Sequence, residues 1–265
     1  MEGTSKLLLS IITVNFNDLE GLKKTVKSVQ KQTYDCFEHI IIDGGSTDGS
    51  KEFIEENSEF FSYWVSEPDE GIYNAMNKGV DKAKGDYLLF LNSGDWLYNN
   101  FVFEKFIGFN PTKDIIYGNT LLINGSKKSL KKMPVKMNIG IALTNTINHQ
   151  TIFFSKNLFN DGSRYDCSYK IVADWIFVNN AIIFKKCTTQ YINLTIPCYD
   201  VNGVSSDKNL RIKERDKYLK SNFNRIFIDL LNNYKEINNH YSKVMNNIFI
   251  KRVLKINRAL KNKIK

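Results

Sequence analysis

Asp86-Tyr-Leu-Leu-Phe-Leu-Asn-Ser-Gly-Asp95 joins an unbroken apolar run to an abrupt polar end. Tyr87 to Leu91 is too short for a helix and lacks polar alternation, the pattern of a strand buried on both faces of a parallel sheet. Asn92-Ser93-Gly94-Asp95 then places an amide and a carboxylate just past the strand, at the edge where open α/β sheets bind ligands. For this segment alone the alternative is a strand followed by an ordinary polar turn.

Toward the N-terminus the same pattern repeats. Leu7 to Val14 is an apolar, β-branched run that ends at Asn15-Phe16-Asn17-Asp18, and Leu22, Val26 and Val29 follow at helical spacing. Phe37 to Ile42 reads as a second strand closed by Asp43-Gly-Gly-Ser-Thr-Asp-Gly49, with a short helix beginning at Phe53 and Ile54. Phe61 to Val65 reads as a third strand ending in Ser66-Glu-Pro-Asp-Glu-Gly71, and Ile72 to Ala83 carries a helical period. Alternating strands and helices predict a mainly parallel sheet with right-handed crossovers, so that the polar loops emerge along one edge. Asp43, Glu67 with Asp69, and Asp95 stand in those loops. Acids gathered on one edge suit a cation, or a hydroxyl-rich or cationic ligand.

The 265 residues are 42% hydrophobic and 25% charged, as in an ordinary globular protein, yet the net charge of +9 is unevenly spread. Residues 207–265 hold 16 Lys and Arg against 5 Asp and Glu, whereas residues 1–206 hold 21 against 23. This predicts a near-neutral body over 1–206 and a basic helical extension over 207–265, and argues against a nucleic-acid-binding surface across the fold. Cys36, Cys167, Cys187 and Cys198 are widely spaced without a CxxC pair, which favours reduced thiols in a cytoplasmic protein over disulfides or zinc. Met1 to Lys6 shows no basic leader, and no apolar run approaches about 20 residues, so neither an export signal nor a membrane span is expected.

The first strand is followed by Asn15-Phe16-Asn17-Asp18, without the glycine turn of dinucleotide-binding folds, and no GxxxxGK[ST] sequence occurs. Nucleotide phosphates would then need another counter-charge. A divalent metal at Asp95 supplies one, because hard cations prefer carboxylate oxygen and bridge phosphates.

The runs SIITVNFND, IIIDGGSTDGS, SEPDEGIYNAMNKG and GDYLLFLNSGD, in that order, resemble the N-terminal half of family 2 glycosyltransferases of GT-A fold, most closely the bacterial branch that builds cell-surface polysaccharides. The resemblance implies an α/β, Rossmann-like nucleotide-binding sheet with flanking helices. It implies that Thr13, Asn15 and Asp43 line the pocket for base and ribose, that Glu67 and Asp69 lie near the base, and that Asn77 and Lys78 face the donor phosphates. The family's Asp-x-Asp metal motif here reads Asn92-Ser93-Gly94-Asp95, which leaves Asp95 as principal ligand for Mn2+ or Mg2+, with Asn92 and Ser93 as donor-site neighbours.

Farther along, Phe101 to Ile107 reads as a short helix, and Ile115 to Ile123, Asn124-Gly125 and a basic run to Lys132 as a hairpin. His149 and Gln150 precede a strand-like Thr151-Ile-Phe-Phe154. A lone histidine is more often structural or exposed, but the similar subfamily has His-Gln facing the cleft, which implies a donor or acceptor contact. Tyr169 to Phe184 is an apolar helical pattern with Asp174 as its acid, costly to bury unless paired or used. The resemblance identifies Ala173-Asp174-Trp175 with the position of the catalytic base; the alternative is an aspartate on the outward helical face. Tyr199 to Ser206 resembles the loop that closes over the donor diphosphate.

These expectations add up to an inverting, metal-assisted transferase moving a sugar from a UDP-sugar, with GDP or dTDP as other bases, to a glycan or lipid-linked acceptor. Ile226, Phe227, Leu230, Leu231 and Tyr234 form an apolar stripe, and Ile248 to Leu260 interleaves apolar and basic residues. Such a tail suits either an anionic membrane surface, which makes the protein peripheral at the inner face of the plasma membrane, or plain packing on the domain. Two other classes stay open: a nucleotidyltransferase, although VNFND lacks its Gly-rich basic loop, and a non-catalytic module binding nucleotide sugar or nucleic acid.

Overall fold

The computed structural model describes residues 6–145, 147–200 and 207–246. The chain falls into two compact units, residues 1–215 and 216–265.

The first unit opens with β1 (Leu9–Asn15), α1 (Leu19–Gln30), β2 (Phe37–Asp43), α2 (Ser50–Glu56), β3 (Tyr63–Ser66), α3 (Ile72–Lys82) and β4 (Tyr87–Phe90). β1 lies between β2 and β4, β3 lies outside β2, and all three pairings are parallel. This is the α/β architecture expected from the sequence. The apolar runs are strands because both faces are covered: every residue of β1 and of β4 is buried. On one face Leu22 and Val26 of α1 pack with Ile41; on the other, Gly79 of α3 lets Ile12 approach so closely that a Cβ there would meet its Cγ2 at 2.4 Å.

The remainder is β5 (Trp96–Leu97), α4 (Val102–Gly108), β6 (Ile115–Asn124), β7 (Lys127–Lys131), α5 (Ile139–Thr144), β8 (Ile152–Ser155), α6 (Ala173–Ile183) and β9 (Thr189–Asp200). β8 adds antiparallel to β4, and β6 joins β8 and extends the sheet to β9 and β5. The expected hairpin forms as β6 and β7, with Asn124 opposite Lys127. A second core collects Leu89, Leu97, Phe103, Phe106, Phe153 and Ile196, with the Phe106 and Phe153 rings stacked at 3.7 Å.

Several boundaries differ from expectation. β3 begins at Tyr63 because Phe61 follows a 3-10 turn over Ser58–Phe60 and packs with Ile54. α6 starts at Ala173 rather than at Tyr169, its approach being held by side chains from elsewhere in the chain. β5 and β9 were not anticipated. In β9, Ile192, Leu194 and Ile196 are buried at a period of two, but Pro197 interrupts the run and is tolerated opposite the two-residue strand β5.

α7 (Lys208–Asn222) and α8 (Arg225–Asn246) are the last of the described elements. Within the second unit Phe223 stacks on Phe227 at 4.5 Å. The anticipated stripe on α8 divides: Leu231 is buried and Phe227 and Tyr234 are half-buried, while Ile226 and Leu230 are exposed together with Ile237 and Tyr241. Of the loop expected over Tyr199–Ser206, Tyr199 and Asp200 belong to β9, and residues 201–206, like the basic run from 248 onward, fall outside the described residues.

The turn into β4 is tight for a definable reason. Glu38 of β2, almost wholly buried, accepts hydrogen bonds from Ser10 Oγ at 2.6 Å and Gly85 N at 3.1 Å, and from Lys84 N. A Cβ on Gly85 would meet Ser10 N at 2.6 Å and Leu8 O at 2.9 Å, backbone atoms that cannot yield without opening the sheet. Gly85→Ala is therefore expected to cost about 1–3 kcal/mol, read as a lower urea midpoint at unchanged slope; an unchanged midpoint would contradict this packing.

Candidate active site

The C-terminal ends of β1, β2 and β3 converge on Asp43. Its carboxylate accepts from Asn15 Nδ2 at 2.7 Å, Ser46 N at 2.9 Å, Ser46 Oγ at 2.6 Å and Ser66 Oγ at 2.6 Å. Burial alone would raise this acid, but the donors from Ser46, Ser66 and Asn15 together hold it below the usual carboxylate range. Gly45 turns the loop at φ +80°, a left-handed conformation that most side chains avoid, and brings it against Pro68. Asp69 lies on the same loop cluster, where it accepts from Gly71 N at 2.8 Å. Thr13 is one step inward: its hydroxyl lies 3.0 Å from His39 Nε2 and its side chain is wholly buried, so it supports the strand end from below. Burial pushes His39 down to about 3, and its ring is neutral.

A second cluster forms where β4, the 3-10 turn His149–Thr151, α3 and α6 meet. His149 Nδ1 lies 2.9 Å from Asp174 Oδ2, and its Nε2 lies 3.1 Å from Asn92 Nδ2. With the Asn92 amide donating, the ring accepts at Nε2 and donates from Nδ1 to the carboxylate. Asp174 Oδ1 also accepts from Tyr73 O–H at 3.1 Å and Trp175 N at 2.8 Å. Its side chain is 13% exposed, so it does not lie on an outward helical face. Burial would raise Asp174, yet His149, Trp175 N–H and Tyr73 outweigh it and hold the carboxyl below its ordinary range.

Gln150, the next residue, donates from Nε2 to Asp95 Oδ2 at 2.9 Å. Asp95 is buried with far fewer donors, and burial pushes it up to about 7 against the pull of Gln150, His149 and Lys24. Lys24 Nζ sits 3.1 Å above the Trp96 ring, beside this acid. The dipeptide His149-Gln150 thus holds both acids, one on each residue.

The remaining expected residues form separate contacts. Asn77 is bound twice to the backbone of Tyr165, at 2.9 Å through each amide atom, and Lys78 pairs with Glu67 at 2.6 Å. Lys78 also reaches Pro68 O at 3.3 Å, which leaves one of its three ammonium donors for a further partner. Tyr73, Ser46 and Ser66 stand within the quoted motifs, but their roles were not read from the sequence. The signal was present for the serines, hydroxyls placed beside or three residues after a strand-terminal acid.

A hard divalent ion bound with substrate phosphates needs only one or two protein carboxylates. The described residues contain no group of three His, Cys, Asp or Glu able to hold a metal. Beside Asp95, however, Asn92 Oδ1 and Ser93 Oγ are buried oxygens without a hydrogen-bond partner. This donor set fits a hard cation as a partial shell, in which Gly94 contributes no ligand.

The family described as "Glycosyl transferase family 2" matches residues 10–173, which include both acid clusters apart from Asp174 and Trp175 just past its end. The chain is 36% identical over 211 residues to an uncharacterised glycosyltransferase of Mycobacterium tuberculosis, covering 77% of this chain and 79% of that protein. It is 30% identical to a PGL/p-HBAD biosynthesis glycosyltransferase of Mycobacterium bovis, covering 74% and 78%. Among solved structures, residues 1–349 of Staphylococcus aureus TarS superpose with a TM-score of 0.65 at 17% identity, over 91% of this chain and 74% of that one. A mannosyltransferase of Pyrobaculum calidifontis, solved with GDP-Man and Mn2+, gives 0.58 at 14% identity, over 78% and 60%. From the motifs, the sheet and these relatives together, the chain belongs to glycosyl transferase family 2, enzymes that transfer a sugar from a nucleotide-sugar donor.

Proposed function

We propose that this protein is an inverting glycosyltransferase that moves a sugar from a nucleoside-diphosphate donor, a UDP-sugar in the first instance, to a hydroxyl of a glycan or lipid-linked glycan. The observation that carries this reading is the hydrogen-bonded chain Tyr73, Asp174, His149, Asn92, which joins a buried, ionised carboxylate to the loop bearing Asp95. Support for the donor comes from TarS 1–349, solved in complex with UDP and with UDP-GlcNAc.

In the proposed step Asp174 takes the proton of the acceptor hydroxyl as that oxygen attacks the anomeric carbon. The carbon–oxygen bond to the diphosphate breaks, its electron pair leaves with the phosphate oxygen, and one displacement inverts the centre. Tyr73, Trp175 N–H and His149 fix the orientation of the carboxylate, and they keep it ionised at neutral pH. Asp95, Asn92 and Ser93 would hold a divalent ion, which when bound supplies positive charge to the departing diphosphate. The Thr13, Asn15 and Asp43 end of the sheet is assigned to the base and ribose, with Glu67 and Asp69 near the base and Asn77 and Lys78 toward the donor phosphates.

Two assays test this reading. Release of nucleoside diphosphate from UDP-sugars should fall by about 100-fold or more in Asp174→Asn while UDP binding is kept; near wild-type turnover would remove Asp174 from the role. In a thermal-shift panel of UDP, GDP and dTDP with and without Mn2+, one nucleotide at 100 times its Kd should stabilise the fold by about 2.7 kcal/mol, with the metal-dependent part lost in Asp95→Ala. Absence of any shift would count against the donor class.

The pH dependence of folding follows from Asp95. Its folded value of about 7 lies above that of an unfolded aspartate, so folding favours the protonated form. The stability it contributes is fully present below about pH 4 and is lost as pH rises through about 7. Asp95→Asn, which cannot ionise, should gain stability relative to wild type between those values in urea titrations; parallel curves would place the Asp95 carboxyl in a wetter site.

No helix among the described residues is long and apolar enough to cross a membrane. The exposed Ile226, Leu230, Ile237 and Tyr241 lie along one edge of α8, and residues 247–265 add basic side chains without an acid. We assign this edge to an anionic membrane surface. Sedimentation of the full chain with anionic vesicles, reduced in Leu230→Asp and absent with neutral vesicles, is the expected result; equal recovery with both lipids would reject it.

A further inference from the structure

The backbone leading into α6 has no side-chain cap of its own: Val172 occupies the cap position, and residues 166–171 hold neither helix nor strand. Glu214 of α7 supplies the missing acceptors. Its carboxylate, 8% exposed, accepts from Lys170 N at 2.7 Å and from Ile171 N at 3.0 Å, one bond to each oxygen. The next residue acts on the other side of Asp174. The Arg215 guanidinium lies 4.6 Å from the centre of the Trp175 ring. Trp175 in turn donates from Nε1 to Ala142 O and Asn145 O, each at 3.1 Å, and from its backbone N to Asp174 Oδ1. Consecutive residues of α7 thus grip the backbone before Asp174 and the side chain after it.

We infer that Glu214 and Arg215 are positioning residues for the transfer reaction, setting the place of the Asp174 carboxylate through Lys170, Ile171 and Trp175. The inference rests on the reading of Asp174 as the base. A carboxylate that must meet a hydroxyl at hydrogen-bond distance is sensitive to small displacements, and about 1 Å can cost roughly 100-fold. Glutamine cannot replace Glu214, since an amide has one acceptor oxygen and its NH2 would face the second backbone N–H. Arg215 adds an electrostatic contribution, because its positive charge and the negative charge of Asp174 attract. The other titratable groups facing Asp174 are Tyr73 from α3, Tyr165 from the segment before α6, and His149 from the 3-10 turn.

The test uses the full chain and nucleoside diphosphate release from a UDP-sugar, with near-UV circular dichroism confirming the fold of each variant. Glu214→Gln should lower kcat by about 10-fold or more with donor KM little changed, as displacement of a base predicts. Amide exchange over residues 170–175 should rise in the same protein, a readout independent of turnover. Arg215→Met should move the acid limb of the kcat profile upward by about half a pH unit, and Arg215→Lys should return it, since lysine keeps the charge. Wild-type kcat, limb and exchange in folded variants would overturn the inference. An active Asp174→Asn, or a wild type that turns over no UDP-sugar, would instead overturn the base reading on which it stands.

Discussion

The parallel pairing of β1 with β2 on one side and β4 on the other is the constraint on which the rest of the molecule depends. Asn15 is in register with Asp43, and Ser93 N bonds Val14 O beyond the end of β4, so the polar chain leaves three strands at one level. A buried ladder leaves no backbone group unpaired, and a slip of one residue would turn every side chain to the opposite face. Glu38 and His39 on β2 reinforce this register from opposite faces, Glu38 through Ser10 and Gly85 and His39 through Thr13. Asp43, Asn92 and Asp95 are consequently placed on one edge before any loop chooses its path.

Asp43 and Asp95 on that edge, with Asp174 on α6, show how neighbours decide the state of one side-chain type. Asp43 receives donors from Asn15, Ser46 and Ser66, and Asp174 from Tyr73, His149 and Trp175; both are held ionised despite burial. Asp95, also buried, has chiefly the neutral amide of Gln150, and burial pushes it up to about 7. In the proposed mechanism such environments would serve a division of labour between a proton acceptor and a carboxyl that holds a cation. The short turn His149–Thr151 makes that division local, since adjacent residues reach the two acids.

α7 shows that composition and role can diverge within one segment. Its charges belong to the basic extension when counted along the chain, yet Glu214 is buried against the approach to α6 and Arg215 covers Trp175. Charge counts describe the long-range field of a segment and say nothing of the few side chains it withdraws from solvent.

Much of the fold was legible locally. Apolar runs of five to eight residues closed by polar turns marked β1 to β4, and the 3.6 period marked α1 and α3, because burial on both faces or on one stripe leaves a direct imprint on residue order. The same signal failed for β5, which has two residues, and for β9, where a proline and half-exposed positions blur the alternation. Thr13, Asn15, Asp43, Asn92, Asp95, His149, Gln150 and Asp174 were all nameable from the sequence as candidates. What the tertiary structure alone decided was their partners: that His149 bonds Asp174 and Asn92, that Asn77 binds Tyr165 and Lys78 binds Glu67, and that Glu214 holds the backbone of Lys170 and Ile171, more than 40 residues before it. Local sequence fixes which groups reach the strand ends, because periodicity is a property of neighbours in the chain. Which of those groups bond one another depends on contacts between residues far apart in it, and no local pattern encodes them.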